Sequence, residues 1–112
     1  MRIEQFGHVE SGVVGWLAKN DLEQIVGHTL LTKQGTNWRI VDLEVDPAFR
    51  RLGVGFRLIC LVCEQVKAML VARVTEEKDE ARAFFECVGF EPAGDETMTM
   101  DNRRAPSVAN DD

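Results

Sequence analysis

Apolar and polar positions change rhythm along the chain, and each change marks an element. Val13-Val14-Gly15-Trp16-Leu17-Ala18 is a strand-like run closed by the turn pair Asn20-Asp21. Glu23 to Thr32 reads as its hairpin partner, carrying Ile25, Val26, Leu30 and Leu31, with Gly35-Thr36-Asn37 as the next turn. Trp38 to Val45 predicts a third strand, ended by Pro47, which cannot donate to a ladder. From Gly53 to about Val66 the chain is apolar around most of a helical surface, which predicts a well-buried helix. Ala68 to Thr75 suits a short buried strand. Asp79 is a favourable N-cap for a second helix, in which Ala81, Phe84, Phe85 and Val88 fall at i, i+3, i+4 and i+7 and form one apolar face. Glu96 to Asp101 alternates polar and apolar as a half-buried closing strand would.

At 112 residues the chain predicts a single domain with a modest core, over 1–101, and the polar stretch 102–112 reads as a disordered tail. An apolar share of 45% beside 29% charged residues is that of a soluble globular protein. No apolar run approaches the roughly 18 residues of a membrane span. Met1-Arg2-Ile3-Glu4-Gln5 is not a signal peptide, so a cytoplasmic location is expected. The net charge of −6 argues against nucleic-acid binding and suits a cationic partner such as an amine or a lysine side chain. Cys60, Cys63 and Cys87 are an odd set for a disulfide framework, and no second Cys/His pair completes a zinc site. Cys60-Leu61-Val62-Cys63 lies in the apolar helix and reads as buried packing, as does Cys87.

The chemistry concentrates between the third strand and the first helix. Val45-Asp46-Pro47-Ala48-Phe49-Arg50-Arg51-Leu52-Gly53-Val54-Gly55 places Arg50-x-x-Gly53-x-Gly55 at a strand-to-helix junction. A helix N-terminus offers unpaired N–H groups and the positive end of a dipole, so a phosphate is its natural ligand. Glycines let a ligand approach the backbone closely, and Arg50, Arg51 and Arg57 supply charge.

This segment resembles the acyl-CoA-binding motif of the GNAT family of N-acetyltransferases, Arg/Gln-x-x-Gly-x-Gly/Ala after the central strand. Asp79 to Phe90 resembles that family's late helix, which ends in an apolar residue followed by Gly-Phe; here these are Val88, Gly89 and Phe90. The likeness runs from about Val13 to Asp101. It implies an α/β (α+β) fold, with a mixed, mainly antiparallel sheet and two main helices. The family's N-terminal helices are reduced or absent, since at most twelve residues precede the first clear strand. A second copy of the chain or a partner protein would then cover the open sheet face.

The resemblance also implies a site. Backbone N–H groups of Leu52, Gly53, Val54 and Gly55 would hold the pyrophosphate of acetyl-CoA, with Arg50 and Arg51 near the phosphates. The strand around Val45 would pair with the pantetheine arm, and the Val45 amide would polarise the thioester carbonyl. The family's base commonly falls four or six residues before the Val45 position, at Val41 or Arg39 here, and neither can serve. Asp42 and Glu44 are the nearest carboxylates and the catalytic candidates, the other reading being two solvent-facing acids. Phe85 replaces the tyrosine that usually protonates the departing thiolate, and the chain has no tyrosine. Lys78 stands where an asparagine often contacts the cofactor and could reach a phosphate. His28 could face a site as a base, although a lone strand histidine is more often surface or satisfied core. No metal is implied.

Two functions compete on these residues. One is acetyl-CoA-dependent N-acetyl transfer to a small amine or protein amino group. The other is a catalytically degenerate scaffold of the same fold, serving as a binding or structural part of a larger, for instance viral, assembly. The intact glycine motif favours the first; Val41 and Phe85 favour the second.

Overall fold

The computed structural model describes residues 1–74, 79–94 and 96–103. Strands β1 (Arg2–His8), β2 (Val13–Lys19), β3 (Ile25–Gln34) and β4 (Asn37–Val45) form an antiparallel meander. Helix α1 (Val54–Gln65) leads to β5 (Met69–Arg73), and α2 (Asp79–Val88) to β6 (Glu91–Pro92) and β7 (Thr97–Asp101). The seven strands lie in the order β1-β2-β3-β4-β5-β7-β6, and β4–β5 is the parallel pair. This is the mixed, mainly antiparallel sheet with two helices that the sequence predicts.

Topology decides which face the helices cover. Since β7 is antiparallel to both β5 and β6, β5 and β6 run parallel. The crossovers β4-α1-β5 and β5-α2-β6 therefore step the same way across the sheet, and right-handed crossing puts both helices on one face. Side chains agree. A β-carbon on Gly27 of β3 would meet Val54 and Leu58 of α1, and one on Gly55 of α1 would meet Phe84 of α2. The covered face carries Val14, Trp16, Ala18, Thr29, Leu31, Ile40, Leu70, Ala72 and Met98, all buried. The alternate positions Leu17, His28, Leu30, Arg39, Val71 and Thr99 are only half-buried, because no helix among the described residues lies over them.

Arg2–His8 forms a strand although the sequence treats it as a stub. Ile3 and Phe6 are three apart and give no alternation, because Ile3 packs against the core while Phe6 lies over Gly15 on the open face. The cysteine expectation is corrected: Cys60 and Cys87 are exposed and Cys63 is half-buried, since α1 and α2 each turn one side to solvent. Asn102, assigned to the tail by composition, is buried and bonded to the end of α1. The residues beyond 103, the end of the predicted strand at Thr75, Lys78 and the Asp79 side chain lie outside the described residues. Among the described residues no helix is long and apolar enough to cross a membrane.

Candidate functional site

The site begins at an irregularity in β4. Leu31 is opposite Ile40 and Leu30 opposite Asp42, so Val41 is an extra residue bulged out of the ladder, half exposed. A bulge bends a strand and reverses its facing. Trp38 and Ile40 point into the core before it; Leu43 and Val45 pack against the core after it. Asp42 and Glu44 are thereby carried to the open face. With unbroken alternation both acids would have followed Ile40 inward. The phase change was present in the sequence, in Trp38-x-Ile40 followed by Leu43-x-Val45, and is the signal that strand-level reading missed.

The bulge also parts two strands. β4 pairs with β5 only from Asn37↔Met69 to Ile40↔Ala72, so among the described residues Val41 to Val45 has no strand partner on that side. The Asp46 N–H donates to the Val26 carbonyl at 2.9 Å, and antiparallel alternation then turns the Val45 amide away from β3, into the gap. The Thr29 hydroxyl, fully buried, donates to the Asp42 carbonyl at 2.9 Å and steadies the bulge.

Beyond β4, the Asp46 carboxylate accepts from the Ala48 N–H at 2.9 Å and starts a single turn of 3-10 helix, Pro47–Phe49. Arg51 and Gly53 then take left-handed φ values of 66° and 81°. Gly53 is the N-cap of α1 and makes no side-chain cap, while the first helical bond runs from the Arg57 N–H to the Gly53 carbonyl. The N–H groups of Val54, Gly55 and Phe56 consequently lack intrahelical partners, and the space where a β-carbon on Gly53 would lie is open. At Gly55 a β-carbon would make ordinary 3.5 Å contacts with Phe84 and Val45, so packing alone does not demand glycine there. Arg50 Nε donates to the Val45 carbonyl at 3.3 Å, tying the turn to the strand end. The Arg51 and Arg57 side chains are exposed and make no hydrogen bond or ion pair among the described residues. An unpaired strand edge next to an uncapped helix N-terminus suits a ligand that carries amide groups and an anionic group such as a phosphate.

A model of the acetyltransferase (GNAT) family matches residues 2–90. The chain belongs to the GNAT acetyltransferase family. Acetyl-CoA is the cosubstrate of GNAT enzymes. Solved GNAT structures have the same fold. An acetyltransferase from Staphylococcus aureus Mu50 is 22% identical, with a TM-score of 0.73 over 85% of this chain and 71% of that one. An aminoglycoside 6'-N-acetyltransferase solved with coenzyme A is 15% identical, with a TM-score of 0.74 over 88% and 78%. The ribosomal-protein-S18-alanine N-acetyltransferase of Escherichia coli is 17% identical, with a TM-score of 0.73 over 88% and 75%. No curated protein sequence matches this chain.

The GNAT helix that usually bears the tyrosine is built here on an aromatic cluster. The Phe85 ring is buried, with its centroid 5.5 Å from Phe84 and 5.0 Å from Phe90, both edge-on. On the open face, His28 of β3 is opposite Glu44 and its Nε2 lies 2.8 Å from Asp42 Oδ2. Donor atoms of His28, Asp42 and Glu44 fall within 4.8 Å of one another. The structure thus brings together both predicted carboxylates and a histidine, one strand over from the gap.

Proposed function

We propose that this GNAT protein transfers an acetyl group from acetyl-CoA to the nitrogen of a small amine or a protein amino group by direct attack. The observation that carries the reading is the gap between β4 and β5, which exposes the Val45 amide beside the uncapped N-terminus of α1. In this reading the N–H groups at Gly53 to Gly55 hold the pyrophosphate, Arg51 adds charge, and the pantetheine arm pairs with Val41 to Val45 as an added strand. The Leu52 N–H belongs to the same cradle, and Arg50 and Lys78 are assigned to the phosphates.

Asp42 and Glu44 draw the ammonium form of the acceptor to the open face. Once the acceptor has lost a proton, its nitrogen attacks the thioester carbon. The Val45 N–H stabilises the oxyanion, the C–S bond breaks, and the acetyl group stays on nitrogen. The second nitrogen proton and the thiolate are resolved through water, because Phe85 cannot donate.

The degenerate-scaffold reading is favoured by one observation, the buried Phe85 ring in a chain without tyrosine. Melting with and without millimolar acetyl-CoA separates the two, with Gly53→Trp as control. A ligand at about 100 times its Kd adds roughly 2.7 kcal/mol, or on the order of 10 °C for a domain of this size. A shift that vanishes in Gly53→Trp supports transfer; no shift in folded wild type leaves the scaffold.

A further inference from the structure

We infer that His28 is the base that takes the acceptor's proton, through Nδ1, and that Asp42 is the residue that positions it. The inference rests on the transfer reading above and changes the role of one carboxylate within it. Asp42 is the carboxylate nearest in kind to a GNAT base, yet its Oδ2 is engaged by His28 Nε2 at 2.8 Å. An ionised carboxylate only accepts, so in the neutral imidazole this contact places the proton on Nε2 and leaves the lone pair on Nδ1. Nδ1 makes no hydrogen bond among the described residues, and the side chain is 32% exposed on the face that no helix covers. A carboxylate that orients an imidazole and stabilises the imidazolium is the arrangement that makes a weak base directional.

Placement supports the same assignment. His28 is opposite Glu44, the residue before Val45, so the imidazole stands on the open face one strand over from the edge whose Val45 amide is assigned to the thioester carbonyl. The ionisable groups facing it are Asp42 and Glu44 from β4, and Lys19, two positions beyond the opposing Leu17 on β2. Lys19 is held by Glu4 at 3.2 Å. Glu44 has no ion-pair partner among the described residues and is left to attract the ammonium.

The proton balance is simple. The ammonium passes one proton to Nδ1, giving imidazolium, and the free amine forms the C–N bond. When the C–S bond breaks, the nitrogen's second proton passes through water to the thiolate, giving CoA. Imidazolium returns its proton to solvent, so each turnover releases one.

The chain has two histidines, His8 and His28, so nitrogen-15 ring spectra are readily assigned with His28→Gln. The expected wild-type signature is a directly observed, hydrogen-bonded Nε2 proton on His28 with a bare Nδ1; Asp42→Ala removes the protected proton. In parallel, CoA release is followed with 1,4-diaminobutane as the probe amine. His28→Gln is expected to lower kcat/KM about 100-fold or more and to remove an acid-side ionisation from the pH profile, while keeping the acetyl-CoA melting shift. His8→Gln, at the exposed end of β1, serves as the histidine control. A normal acetyl-CoA shift with an unchanged His28→Gln rate overturns the assignment and returns the proton to a carboxylate. Absence of the shift in wild type removes the transfer reading itself. If wild type binds acetyl-CoA but leaves diaminobutane untouched, the ring decides: an Nδ1–H tautomer overturns the inference and an Asp42-dependent Nε2–H supports it.

Discussion

Replacing Asn102 by alanine tests whether the end of β7 locks the end of α1. Asn102 Nδ2 donates to the carbonyls of Cys63 at 2.9 Å and Val66 at 2.7 Å, and the residue is 8% exposed. Alanine keeps the backbone bond from Asn102 N–H to the Ala68 carbonyl but removes both side-chain bonds. The Cys63 carbonyl still accepts from Lys67 Nζ at 2.7 Å, so its loss is small. The Val66 carbonyl keeps no side-chain donor among the described residues. One net hydrogen bond is worth about 1 kcal/mol, and an orphaned buried acceptor costs about 1–3 kcal/mol. Together these give a loss of about 2–4 kcal/mol, or on the order of 10 °C in Tm. Urea unfolding followed by circular dichroism should show a lower midpoint with an unchanged slope. Asn102→Asp should be at least as damaging, since a carboxylate cannot donate to either carbonyl. A loss below about 0.5 kcal/mol at unchanged slope would refute the cap, because that is the range of an ordinary surface substitution.

Gly53→Ala should cost about 1–2 kcal/mol from the left-handed φ of 81°, although open space surrounds the added carbon, and should shrink the acetyl-CoA melting shift. Lys19 and Arg2 hold Glu4 below the usual carboxylate range, and Arg2 does the same for Glu23. Their contribution to anchoring β1 is therefore present above the unfolded carboxylate range and fades as pH falls through the lowered folded values. Carboxyl-carbon NMR should find both midpoints low, and Arg2→Ala should return Glu23 to normal. Burial, with Cys60 adding to it, pushes the Cys63 thiol up, whereas Cys60 and Cys87 are exposed. Iodoacetamide at pH 8 should therefore label Cys60 and Cys87 well before Cys63, as read by peptide mass spectrometry; equal rates would contradict the packing of α1.

Much of the architecture is local in origin and was legible. Hydropathy period separated strands from helices, Pro47 stopped β4, and the glycine turn marked the start of α1, because period, proline and glycine act within a few residues. Edge elements were less legible. Glu91–Pro92 is a two-residue strand, and β1 has no alternation, since an edge strand needs only a few inward side chains to be held. The exposure of Cys60 and Cys87 was hidden for another reason. Apolar composition does not say which side of a helix meets the sheet.

At the site, the sequence determined chemical identity: the glycine turn, the arginines, two carboxylates on one strand, and phenylalanine in place of tyrosine. It also determined the family likeness, which the match over 2–90 bears out. Only the tertiary structure decided which of these groups meet. The bulge at Val41 reverses the facing of β4, opens the gap to β5 and brings Asp42 against His28, fourteen positions earlier in the chain. Such a contact depends on strand register, and register is fixed by the core on the opposite face of the sheet, through side chains that never touch the site.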